Sequence, residues 1–393
     1  MDAVTPEPLD AALAADLAAL DAAGLRRACR ECDGPTGPRA LVGGRDVLVL
    51  ASNDYCDLAR DPRVVRAAAD AAARWGAGSG GARLTTGSQP PHAALERRLA
   101  AFKGAEDALL FGTGYMANVG AISALCGKGD AILSDELNHA SIIDGCRLSR
   151  AAVTVYRHND MDDLARALGS ARGARRILVV SDAVFSMDGD LLDLPRFLAL
   201  CRAHGAVSMI DEAHATGVLG ATGRGLCEHF GGGRPDVLMG TLSKALGSAG
   251  GFVAGSRVLV DFLRNRARSF IFSTSLPASA AAAADAALAA LEAEPERAAA
   301  ARENAAFLVR ELAARGVAAA TRSAIVPIPV GDETAAVRAS ERLLAEGVWI
   351  PAIRYPTVAR GAARLRASVM SAHTREDLAF AAAAVARALG RGA

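Results

Sequence analysis

Along the middle of the chain, apolar residues gather into short unbroken runs. Between the runs they recur every three to four positions. The runs "DALLF" (107–111), "AILSD" (131–135), "AVTVY" (152–156), "RILVVSD" (176–182), "AVSMID" (206–211), "DVLMGT" (236–241) and "GGFVAG" (250–255) are too short for helices, and each predicts a strand. Segments with helical spacing fit between most of them. Strands apolar on both faces that alternate with helices predict an α/β fold with a mainly parallel seven-stranded sheet.

The flanks read differently. Leu9, Leu13, Leu17 and Leu20 fall at helical spacing, so residues 8–23 predict an amphipathic helix, and "GRDVLVLAS" (44–52) predicts a strand. Beyond about residue 285, helical stretches at 280–316 and 333–346 surround a strand "AIVPIPV" (324–330), and "RLRASVM" (364–370) leads into a last helix. The expected division is an N-terminal helix and arm (1–50), a large α/β domain (51–284) and a small α+β C-terminal domain (285–393).

Composition narrows the function classes. A formal net charge of +1 and 4% aromatic residues give no basic, aromatic-interleaved surface, so neither nucleic acid nor an anionic membrane is an expected partner. The acidic, proline-interrupted opening "MDAVTPEPLDAALAADLAAL" does not read as a signal peptide. The alanine-rich stretch 276–291 is broken by Asp285 and too short for a membrane span. Seven cysteines, an odd number irregularly spaced, fit a reduced, cytoplasmic setting.

In open α/β sheets, ligands collect beyond the carboxyl ends of the strands. Five strand ends here deliver Gly114, His139, Ser186, Asp211 with His214, and Lys244. Lys244 stands out further, because only Lys103, Lys128 and Lys244 are lysines among 44 basic residues. Arginine stays charged, whereas a lysine amine can be deprotonated by its surroundings and form a Schiff base.

Three other motifs point elsewhere. Gly112-x-Gly114-x-x-Ala117 followed by Asp135 matches a dinucleotide fingerprint and keeps an NAD-dependent dehydrogenase open. "DEAH" (211–214) lacks any accompanying P-loop. Cys29-x-x-Cys32 lacks the second pair that zinc requires, and no metal site is expected. A Schiff-base lysine, a carboxylate, a glycine turn for phosphate and an aromatic cap are together what pyridoxal 5′-phosphate requires.

The motifs "SNDY" (52–55), "GSGGARLTTG" (78–87), "NHASIIDG" (138–145), "VFSMDGD" (184–190), "DEAHATGVLG" (211–220), "GTLSKALG" (240–247), "FSTSLP" (272–277) and "YPTVARGAARLRASVMSAHT" (355–374), in this order, resemble the α-oxoamine synthases. These are fold-type I pyridoxal-phosphate transferases that join an amino acid to an acyl thioester with loss of carbon dioxide. The resemblance implies that Lys244 binds the cofactor aldehyde, Asp211 pairs with its ring nitrogen and His139 stacks on the ring. It implies that Ser186 and His214 lie near the phenolic oxygen and that Gly114, Tyr115 and Thr241 hold the phosphate. Ser273 and Thr274 would reach across from a partner subunit of a homodimer. Arg366 would take the amino-acid carboxylate, and Asn53 would line the site.

Within the family, the resemblance is to the members of biotin synthesis that condense L-alanine with a pimeloyl thioester, carried on coenzyme A or on an acyl carrier protein. Arg26 would then meet the distal carboxylate of the acyl chain, with Arg354 and Thr357 near the substrate. Glycine-using relatives (2-amino-3-ketobutyrate ligase, 5-aminolevulinate synthase) and a cofactor-bound regulator on the same fold remain alternatives. Departures from the usual pattern are Cys56-Asp57 for Leu-Gly, Ala215 for glycine and Ala359 for proline.

Overall fold

The structure, a computed structural model, describes residues 8–391; the first seven residues, part of the opening that does not read as a signal peptide, lie outside it. Two short strands come first, β1 (Arg39–Val42) and β2 (Arg45–Val49). Next come β3 (Asp107–Phe111), β4 (Ala131–Asp135), β5 (Ala152–Tyr156), β6 (Ile177–Asp182), β7 (Val207–Asp211), β8 (Val237–Thr241) and β9 (Gly251–Gly255). The remaining strands are β10 (Ile325–Gly331), β11 (Val348–Trp349), β12 (Ala352–Ile353) and β13 (Ala363–Ser368).

The seven runs of the central pattern form one sheet in the order β3-β9-β8-β7-β6-β4-β5. Its pairings are parallel except for β9, which runs antiparallel to both β3 and β8. Every residue of β4, β6 and β8 is buried. β5 departs from the expected two-faced burial, because it is the sheet edge and residues 152–155 are exposed.

Two apolar cores lie against this sheet, one containing Leu133, Val179 and Ile210, the other Ile132, Leu178 and Met209. Neighbours along one strand join different cores, as the alternation of side chains across a sheet requires. A third core gathers around β10 and β13, which pair antiparallel. β2 adds Leu48 to this third core and pairs in parallel with β11, so the strand expected in an N-terminal arm packs with the C-terminal lobe.

The stretch expected to be helical over 280–316 is two helices, Ala278–Ala293 and Glu296–Ala313. Pro295 separates them. Proline has no amide to donate and disfavours helical geometry in the residue before it, and Glu294 has left the helical region. The first helix buries Ala281, Ala284, Ala287, Leu288 and Leu291, so its alanines are core residues that allow close packing.

The helix Pro8–Ala22 forms where the leucine spacing places it, but none of its residues is buried. No described helix is long and apolar enough to cross a membrane.

Candidate active site

A cavity of about 200 Å³ opens at the carboxyl ends of the parallel strands. Gly114, Tyr115, His139, Ser186, Asp211, His214, Thr241 and Lys244 all line it. Residues spread over 130 positions of sequence thus meet because β3, β4, β6, β7 and β8 end at one edge. Two further lining residues, Asn118 and Asp182, are not among those five deliveries, although Asp182 closes its strand as Asp211 does.

Asp211 closes β7 and is held on both oxygens. Oδ2 accepts from Nδ2 of Asn118 over 2.7 Å, and Oδ1 accepts from the Ala213 amide over 2.8 Å. Asn118 also donates to Ser141 Oγ at 2.9 Å, while its own Oδ1 is buried without a partner among the described residues. Asp182 ends β6 directly beside Asp211 in register and accepts from the His139 amide at 2.8 Å. Burial, reinforced by the neighbouring Asp211 charge, pushes the Asp182 carboxyl well above its ordinary pKa.

Lys244 follows β8 in a tight loop in which the Gly247 amide donates back to its carbonyl at 2.8 Å. Gly247 has φ +57°, and a Cβ there would stand 2.3 Å from the Ala59 amide nitrogen, so glycine alone fits. Burial lowers the Lys244 amine pKa against the pull of Asp211 and Asp182. This favours the neutral, nucleophilic form.

His139 caps the helix Ala140–Ser149, its side chain accepting from the Ser141 amide at 3.2 Å. Desolvation by the crevice walls lowers its pKa, and the Lys244 charge adds to this while Asp211 opposes it. His214 is buried, with Nδ1 2.7 Å from the Tyr55 hydroxyl. Burial drives its pKa well down, so the ring is neutral.

The Tyr55 hydroxyl also donates to Oδ1 of Asn53 at 3.1 Å, and the same oxygen accepts from Nη1 of Arg366 at 3.2 Å. Arg366, buried on β13, further donates to Ser368 Oγ at 2.7 Å and through Nε to the Ser186 carbonyl. A hydrogen-bonded chain therefore runs from His214 through Tyr55 and Asn53 to Arg366.

The helix Gly114–Leu125 starts at this edge, leaving its first amides without helical partners. A Cβ at Gly114 would lie 2.4 Å from Thr241 Cγ2, so the glycine keeps the helix start and β8 in contact. The Thr241 hydroxyl is buried and unpartnered among the described residues. Free amides beside an orphaned hydroxyl make a phosphate cradle. With Asp211 and Lys244 in the same cavity, the donor set fits pyridoxal phosphate.

The other expected residues lie elsewhere. Arg26 is half-exposed and paired with Asp21 at 2.6 Å. It and Arg354 line a separate cavity of about 480 Å³ with Arg27, Arg30 and Trp349, and Arg354 Nη2 donates to the Arg26 carbonyl at 3.0 Å. Thr357 is exposed, and Ser273 and Thr274 line a small cleft beside Gly112. Asp135, the acidic residue of the dinucleotide reading, does not line the central cavity; it holds His158 at 2.9 Å. Asp57 stands at φ +51°, a conformation in which glycine is free of strain, which accounts for the glycine common at that position. Burial pushes the adjoining Cys56 thiol up to about 12.

The Aminotransferase class I and II family model matches residues 45–385. An 8-amino-7-oxononanoate synthase of Anaeromyxobacter sp. is 52% identical over 379 residues, covering 96% of this chain and 95% of that one. A putative 8-amino-7-oxononanoate synthase of Desulfovibrio desulfuricans is 50% identical over 379 residues, covering 96% and 98%. Among solved structures, serine palmitoyltransferase of S. paucimobilis, determined with a bound PLP–myriocin aldimine, superposes with a TM-score of 0.91 at 34% identity over 98% of this chain and 100% of that one. The 8-amino-7-oxononanoate synthase of Francisella tularensis gives 0.74 at 27% identity over 87% and 97%. The chain belongs to the class I and II aminotransferase family and, within it, to the α-oxoamine synthases.

Proposed function

We propose that the protein condenses L-alanine with a pimeloyl thioester, releasing carbon dioxide and the free thiol and forming 8-amino-7-oxononanoate for biotin synthesis. The observation that carries this reading is the meeting of Lys244, with its lowered pKa, and the anchored Asp211 carboxylate in one cavity. The choice of substrate follows the relatives. Identity reaches 52% to an 8-amino-7-oxononanoate synthase against 34% to serine palmitoyltransferase, whose higher TM-score reports the shared backbone.

Pyridoxal 5′-phosphate, when bound, supplies the electron sink that stabilises negative charge on the amino-acid α-carbon. Lys244 Nζ would be its point of attachment and, as a neutral amine, would take the α-proton of the amino acid. Asp211 would keep a proton on the ring nitrogen. Gly114, Tyr115 and Thr241 would hold the phosphate, His139 would cover the ring, and Ser186 and His214 would face the phenolic oxygen. Arg366, steadied by Asn53, takes the alanine carboxylate; a paired charge in a closed site binds through charge-assisted hydrogen bonds. His139 is placed to give a proton to the acyl oxygen. The arginine-lined cavity at Arg26 and Arg354 receives the anionic end of the acyl donor, near Thr357. The working unit is a cytoplasmic homodimer in which Ser273 and Thr274 complete the partner's phosphate site.

The test is thiol release by purified, cofactor-loaded protein across a matrix of amino acids and acyl thioesters. L-alanine with pimeloyl thioester should be fastest, and Lys244→Ala should abolish turnover. A preference for glycine or serine would overturn the substrate assignment.

A further inference from the structure

The Ser186 carbonyl accepts from Arg366 Nε, so whatever fixes the 183–193 loop also fixes this arginine. The loop is fastened on two sides. Toward the smaller lobe, Asp188 pairs with Arg364, and the Gly189 carbonyl accepts from Ser323 Oγ at 3.0 Å. Toward the sheet it is held by the two residues His158 and Asn159, just past the end of β5.

His158 stands between two carboxylates. Nδ1 is 2.9 Å from Asp135 Oδ1, and Nε2 is 2.9 Å from Asp190 Oδ2. Its ring meets Phe185, the residue before Ser186, edge-on at 4.3 Å between centroids. Asn159 continues the attachment, donating from its amide to Asp135 Oδ2 at 2.7 Å and from Nδ2 to the Leu191 carbonyl at 2.9 Å. None of Asp135, His158, Asn159 or Asp190 lines the central cavity.

We propose that His158 is a positioning residue for amino-acid binding: clamped between Asp135 and Asp190 and packed on Phe185, it sets the Ser186 carbonyl that orients Arg366. The inference rests on the reading that Arg366 takes the amino-acid carboxylate. A ring held between two carboxylates donates from both nitrogens only when it carries both protons. Burial opposes that state, but the two carboxylates outweigh burial and raise the ring to about 10.

The experiment is steady-state kinetics on the cofactor-loaded enzyme, varying L-alanine at saturating pimeloyl thioester and then the reverse. The variants are His158→Gln, Asp190→Ala, Arg366→Lys and the double variant H158Q/R366K. Asp190 is the more exposed arm of the clamp, so its removal tests the idea even if His158→Gln does not fold. Loss of a charge-assisted hydrogen bond predicts a rise of about tenfold or more in KM for alanine in H158Q and D190A. kcat and the thioester KM should stay near wild type, and the bound-cofactor spectrum should be unchanged. In the R366K background, H158Q should add nothing, because both act through one contact. The clamp is overturned if R366K raises the alanine KM while H158Q and D190A leave it unaltered, or if both lower kcat and lose cofactor without a change in that KM. An R366K variant with unaltered alanine KM overturns instead the reading of Arg366 beneath it.

Discussion

Nζ of Lys103 donates to Oε2 of Glu212 over 2.6 Å, with both side chains sealed from solvent. The ammonium is satisfied further by Thr216 Oγ1 and the Arg224 carbonyl, each at 2.7 Å. Glu212 follows Asp211 directly and also accepts from the Leu226 amide at 2.7 Å, so this ion pair braces the turn that carries Asp211 and His214.

Breaking such a pair on one side leaves a buried charge uncompensated. Lys103→Met should destabilise the protein by about 3–5 kcal/mol. K103M/E212Q should recover much of that loss, because both charges are then gone. Urea denaturation of the two variants checks this; equal loss in both would show that packing, and not charge, dominates.

Asn118 anchors Asp211 from one turn into the helix Gly114–Leu125. Asn118→Ala removes a hydrogen bond to a charged group, which contributes about 1.5–3 kcal/mol. Turnover should fall by about ten- to a hundredfold. Single-turnover kinetics on cofactor-saturated protein would read this directly.

At Gly114 a methyl group would press on Thr241, inside the phosphate cradle. Gly114→Ala should therefore lose cofactor on gel filtration while keeping its fold. The loss is read as a fall in visible absorbance with unchanged far-ultraviolet circular dichroism.

The His158 clamp also carries a pH signature. The folded ring titrates at about 10 and the free ring near 6.5. A raised folded pKa means that the stabilisation is complete below about 6.5 and is lost as pH rises through about 10. Between those values, wild-type unfolding free energy should decline more steeply than that of His158→Gln, and the two curves should converge at the alkaline end.

Much of this molecule is legible in its residue pattern. "DALLF", "AILSD" and "AVTVY" are strands at the residues the pattern marks, and the other central runs differ by one residue at their starts. The turns just beyond the strand ends hold Gly114, His139, Ser186, His214 and Lys244, and Asp211 closes its own strand; all of them reach the cavity. The turn beyond "AVTVY" holds His158 in the same way, two residues past that strand, so the same rule reaches the clamp.

Asn118 left a fainter signal, as a lone amide in the otherwise apolar helix "GYMANVGAISAL". The pairs Lys103–Glu212 and Asp182–Asp211 join positions far apart in sequence, and no local pattern records which distant residues meet. Arg26 lines the arginine-rich cavity with Arg354, and its pairing with Asp21 is a contact that its resemblance to a substrate arginine does not record.

The parallel pairing of β2 with β11 has a consequence for anyone who would divide the protein. A piece cut to begin at residue 285 would lack Leu48 and Leu50, which seal its core, and β2, the strand with which Val348 and Trp349 pair. The smaller lobe is stitched from both extremities of the polypeptide. Recombining it with a relative's lobe would require exchanging two separate stretches at once.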